Sequence, residues 1–93
     1  MVLLEPMFRI EVLVPTEYTG AALAQLGARR AEIEAVAPCP GGVEAIAGQV
    51  PLAEMFGYVT ELRSVTRGHG LYSMEFDHYA EVEHEVAGVT PRN

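Results

Sequence analysis

The side chains of this sequence best suited to chemistry are its arginines and the glycine-rich turn among them. All six basic residues are arginine, and four stand in two short groups: Arg29-Arg30, and Arg63 with Arg67. The second group runs through Ser64 into Thr66-Arg67-Gly68-His69-Gly70. A guanidinium is a planar fork of donors that can hold two oxygens of a phosphate or carboxylate at once. Glycines carry no side chain, so the amides of Gly68 and Gly70 are expected to approach a phosphate closely. The turn is not a nucleotide-binding phosphate loop, which needs G-x-x-x-x-G-K-[ST] after a strand. This chain contains no lysine.

Other reactive types are less promising. His69, His78 and His84 lack the i, i+4 spacing of a helical ligand pair, and no cysteine pair joins them, so the pattern argues against a metal site. His78 is expected to cap the end of a strand's core face. Cys39 is the single cysteine, between Pro38 and Pro40; it reads as a loop residue and cannot form an internal disulfide. Glu81, Glu83 and Glu85 alternate along an extended segment and should face solvent. Met55, Phe56 and Tyr58 read as core rather than as a cofactor box. Nothing pairs a nucleophile with a base.

Ninety-three residues make one small domain. The formal net charge of −7 argues against nucleic-acid binding by bulk attraction, so any such contact must come from a local basic edge. No apolar run approaches the roughly 20 residues of a membrane helix. The N-terminus has no signal-peptide pattern, and the expected location is the cytoplasm with no membrane partner.

Hydrophobic periodicity supplies the elements that must position these groups. Met7 to Val14 alternates, with Phe8, Ile10, Val12 and Val14 on one face, as in a strand buried on one side. Pro15 ends it, and Thr16 is a suitable N-cap. Gly20, Leu23 and Leu26 then recur at helical spacing up to Gly27 and Arg29-Arg30. Ala31 to Ala37 alternates again, Ile33 and Ala35 on one face. Pro38 to Gly42 is a turn, and Val43 to Val50 is a third strand weakened by Gly48. Pro51 is expected to open a second helix with the stripe Leu52, Met55, Phe56, Val59 and Leu62. Gly68 and Gly70 stop it. Leu71 to His78 is a fourth strand, with Tyr72, Met74, Phe76 and His78 on one face. The order β-α-β-β-α-β predicts an α+β, ferredoxin-like split fold: a four-stranded antiparallel sheet with both helices on one face. The domain is expected over residues 1–82, with residues 83–93 a disordered tail.

The stretch from Pro51 to Val82 also carries a distinctive frame. It comprises Pro51 to Tyr58 (PLAEMFGY), Leu62-Arg63-Ser64, the turn Thr66 to Gly70, and Phe76-Asp77-His78-Tyr79-Ala80-Glu81-Val82. With Leu3-Leu4-Glu5-Pro6 at the front, it resembles the C-terminal domain of elongation factor G or an elongation-factor-G-like paralogue, over roughly Leu3 to Val82. Two stretches depart from that family's usual wording. Where it often has L-N-x-R-R-G, this chain has Leu26-Gly27-Ala28-Arg29-Arg30-Ala31; where it often has T-Q-G-R-G, it has Thr66 to Gly70.

The resemblance implies a ribosome-docking domain of a translational GTPase that moves tRNA and mRNA. It would contact large-subunit rRNA near the sarcin–ricin loop and stalk base, and the other domains of the parent factor. The rRNA-contact residues would be Arg29, Arg30, Arg63, Ser64, Thr66, Arg67 and His69. The chain alone would be no enzyme and would hold no cofactor; GTP and Mg would belong to the parent protein. The first and third strands are expected to run the same way, which would place both helix C-termini, and hence these residues, on one edge. On the face opposite the helices, Met7, Leu13 and Val36 are expected to form a domain–domain surface. The alternative is a free-standing ferredoxin-like ligand-binding or regulatory module. An acylphosphatase-like hydrolase is disfavoured, because Val14-Pro15-Thr16-Glu17 has neither a glycine-rich turn nor an arginine.

Overall fold

The computed structural model describes residues 3–82; the expected tail lies outside them. Strand β1 spans Leu4–Pro15 and is followed by a 3-10 turn, Thr16–Tyr18, and helix α1, Thr19–Ala28. Strands β2 (Glu32–Cys39) and β3 (Val43–Pro51) form a hairpin. A second 3-10 turn, Leu52–Glu54, precedes helix α2 (Tyr58–Val65) and strand β4 (Leu71–Glu81). The sheet order is β2-β3-β1-β4 and every neighbouring pair is antiparallel. This is the ferredoxin-like α+β arrangement expected from the element order.

Alternation in β1 builds the core directly. Ile10, Val12 and Val14 are fully buried, against Ile46 and Val50 of β3, Ala22 and Leu26 of α1, and Tyr58 and Leu62 of α2. β1 outruns β3: its register with β3 begins at Met7, whereas its register with β4 begins at Leu4. Leu4 and Pro6 therefore lie in a two-stranded ribbon. At the base of this ribbon, on the helix-side face, Phe76 meets Phe8 edge-on at 6.0 Å and Tyr79 at 5.1 Å.

Several expectations fail, some through the path of the chain and some through single residues. The first and third strands run in opposite directions, Met7 opposite Pro51 and Pro15 opposite Val43. The crossover through α1 makes β1 and β2 run the same way, and the tight hairpin then reverses β3. The helices are consequently antiparallel. One pole collects the ends of β1 and α2, the β2–β3 hairpin and the start of β4: Thr16 N donates to Gly42 O at 2.9 Å, and Leu13 pairs with Leu71. The other collects the end of α1, the start of α2 and both ends of the described chain, where Val82 N donates to Leu3 O at 2.9 Å.

The second helix does not begin at Pro51, which ends β3. Gly57 takes a left-handed φ of 79° immediately before α2. That break leaves Phe56 79% exposed, against its expected place in the core, while Tyr58 is buried there as expected. Likewise Thr16 does not cap α1; its hydroxyl donates to Gly42 O at 3.1 Å.

Register shifts alter the faces of both edge strands. The shift between Ile33 and Ala35 places Val36 opposite Ile46, on the helix side rather than the open face, and leaves Ala35 opposite Ala47. Met7 and Leu13 do project to the open face. A shift at Asp77 puts His78 opposite Met7, so His78 caps no core face. It contacts Asp77, which Arg9 also binds at 2.8 Å. These two hydrogen bonds hold the Asp77 carboxyl below its ordinary range, the Arg9 bond having the larger effect. Cys39 closes β2 rather than lying in a loop.

Candidate nucleic-acid interface

The exposed arginine group grows out of α2. Tyr58 and Leu62, four residues apart, anchor the helix to the core. The turn after it is closed by Thr66, which is fully buried. The Thr66 hydroxyl donates to Leu62 O at 2.6 Å and accepts from Gly70 N at 2.9 Å. Gly68 N donates to Arg63 O at 2.8 Å and His69 N to Thr66 O at 3.0 Å. Two expectations are thereby corrected. Thr66 is a buried staple and cannot touch a partner, and the Gly68 and Gly70 amides are already bonded. Gly70 is required for packing instead: a Cβ there would lie 2.9 Å from Leu62 Cγ.

This turn presents Arg63, Ser64, Arg67 and His69 to solvent. Among the described residues neither Arg63 nor Arg67 is in an ion pair. Arg67 has φ 53°. The Gly68-to-Arg63 bond is that of a Schellman ending, whose left-handed site usually carries glycine.

Arg29 and Arg30 lie at the opposite pole, so the single basic edge does not exist. Both are engaged. Arg30, at φ 62°, ends α1 in a full Schellman motif: Ala31 N donates to Leu26 O at 3.0 Å and Arg30 N to Gly27 O at 3.2 Å. Its guanidinium reaches Glu5 and Glu54, each at 3.1 Å. Arg29 donates to the carbonyls of Glu54 and Phe56 and to Glu61 Oε1, the last at 2.7 Å. It also stacks 5.3 Å from the centroid of the Tyr58 ring. Sequence reading missed these partners. They stand 24 to 32 positions away, where no local spacing signals them.

Burial pushes the Tyr58 hydroxyl up to about 12, while the charge of Arg29 acts in the opposite direction. In the unfolded chain a tyrosine titrates near 10. Tyr58 burial therefore contributes stability that is fully present below about pH 10 and lost as the pH rises through about 12. An alkaline urea series should show the unfolding midpoint falling across that window. In Tyr58→Phe the fall should be shallower; an equally steep fall would assign it elsewhere.

The fold and site together define a small ferredoxin-like domain in which, among the described residues, the unpaired arginines gather on one helix-ending turn. The family model described as "Elongation factor G C-terminus" matches residues 2–89, and the chain belongs to that family. It is similar to the crystal structure of ttk003000868 from Thermus thermophilus, with 42% identity over 94% of this chain and a TM-score of 0.85. The chain spans 13% of that protein's length.

Proposed function

We propose that this chain is the ribosome-docking C-terminal domain of an elongation factor G-type translational GTPase, working in the cytoplasm. Its contact would be with large-subunit rRNA near the sarcin–ricin loop and stalk base, during movement of tRNA and mRNA. The observation that carries this reading is the exposed, unpaired set Arg63, Arg67 and His69 on one turn of a domain from this family. Arg29, Arg30 and Thr66 leave the proposed contact set, being committed inside the domain.

The open sheet face argues for phosphate contacts rather than base reading. RNA-binding sheets of this topology stack bases on aromatic side chains. Here the open-face positions of β1 and β3 include Met7, Arg9, Glu11, Leu13, Ala45, Ala47 and Gln49, none of them aromatic. Arginines on a turn suit backbone phosphates, which position a protein without reading sequence. GTP and Mg would be handled elsewhere in the parent, so the purified chain should release no phosphate from GTP.

The test uses a factor carrying this chain as its C-terminal domain. Arg63→Ala and Arg67→Ala should each weaken ribosome binding and reduce the slope of log affinity against log salt by about one. Unchanged affinity and slope, with the fold intact, would overturn the docking reading.

A further inference from the structure

We propose that Arg29 is a positioning residue for the docking turn rather than part of the contact. The inference rests on the docking reading above and concerns how the contact is held in place. Helix α2 is only eight residues long, about 12 Å at the helical rise. Its last turn carries Arg63 and leads into Arg67 and His69, and its first turn lies under Arg29. Tyr58, at that first turn, is 1% exposed, and its ring forms the floor beneath the Arg29 guanidinium.

The contacts of Arg29 are those of a clamp. Its side chain is only 13% exposed. One nitrogen, Nη1, bridges the carbonyls of Glu54 and Phe56 on either side of Met55, and Nη2 holds Glu61 one turn into α2. A single planar group thus ties the end of α1 to the approach and first turn of α2. Arg30 extends the tie through Glu54 to Glu5 of β1. A short helix fixed at its first turn has little freedom at its last, so the clamp sets where the exposed arginines stand. A lysine could not reproduce it, because one ammonium lacks the rigid fork that reaches two carbonyls and a carboxylate together.

Arg29→Ala and Arg29→Lys in the same factor test the proposal, well below the melting transition. Both variants should bind ribosomes roughly tenfold more weakly, the scale on which coupled sites shift one another's affinity. The salt slope should stay at the wild-type value, since no phosphate contact is lost. Amide exchange at Gly68, His69 and Gly70 should quicken in both. If Arg29 touches phosphate directly, Arg29→Ala flattens the slope by about one and lysine restores binding, which overturns the proposal. A lower melting temperature with unchanged affinity overturns it too, leaving a stabilising role only. Should Arg63→Ala and Arg67→Ala prove silent, the docking reading fails. The amide exchange then judges the clamp alone, and unchanged exchange in Arg29→Ala rejects it.

Discussion

Replacing Gly48 with alanine should destabilise the domain by about 3 kcal/mol, at the upper end for overpacking a core. Gly48 is buried in the middle of β3. A Cβ built there stands 2.3 Å from the carbonyl oxygen of Glu32 and 3.2 Å from the Cα of Ile33. Both are backbone atoms, so no rotamer change relieves the overlap and the start of β2 must move. That strand begins two residues after Arg30, so its displacement should also pull on the bridges to Glu5 and Glu54. Gly20 and Gly27 make the useful controls, because a Cβ at either meets nothing within 4 Å. Urea unfolding of the three alanine variants checks this. A Gly48→Ala midpoint equal to that of the controls would show that β2 does not approach β3 as described.

Leu62→Ala should be comparably damaging, at about 2–5 kcal/mol for a large-to-small change in a core. Leu62 is 1% exposed, and its side chain fills the space under the Thr66–Gly70 turn. The same contact predicts a specific coupling. Alone, Gly70→Ala forces a methyl to 2.9 Å from Leu62 Cγ and 3.0 Å from the Thr66 hydroxyl. With Leu62 already truncated, that methyl enters the vacated space. The double variant should be more stable than the sum of the two losses, by about 1 kcal/mol. Strict additivity in the cycle would mean that Gly70 is not held by Leu62.

Element order was legible because alternation and helical spacing are local. Ile10, Val12 and Val14 announced a one-sided strand, and the two β-α-β halves followed. What failed was set by a single residue or by the path of the chain. Gly57 in a left-handed conformation moved the start of α2 by several residues and turned Phe56 out of the core, while Tyr58 stayed in it. The shifts beside Glu34 and at Asp77 turned Val36 and His78 to new faces, and a one-residue shift leaves no mark on composition. Gly48 read as a weakness in its strand; only the close approach of Glu32 reveals it as a requirement. The arginines were picked out correctly as residues at helix ends. Their separation into a clamped pair and an exposed pair depended on strand direction, which periodicity does not encode.

The opposed directions of α1 and α2 have an electrostatic consequence. Peptide dipoles align along a helix and leave partial positive charge at its N-terminus and negative charge at its C-terminus. With the helices antiparallel, each pole receives one end of each sign, and the two fields largely cancel a short way into solvent. The net charge of −7 then dominates at long range and repels any polyanion. Attraction from Arg63 and Arg67 prevails only within about a Debye length, roughly 8 Å at physiological salt. Such a surface does not steer an encounter. In the proposed docking it would engage only once the rest of an assembly had brought it within reach, and it would let go readily when that support was withdrawn.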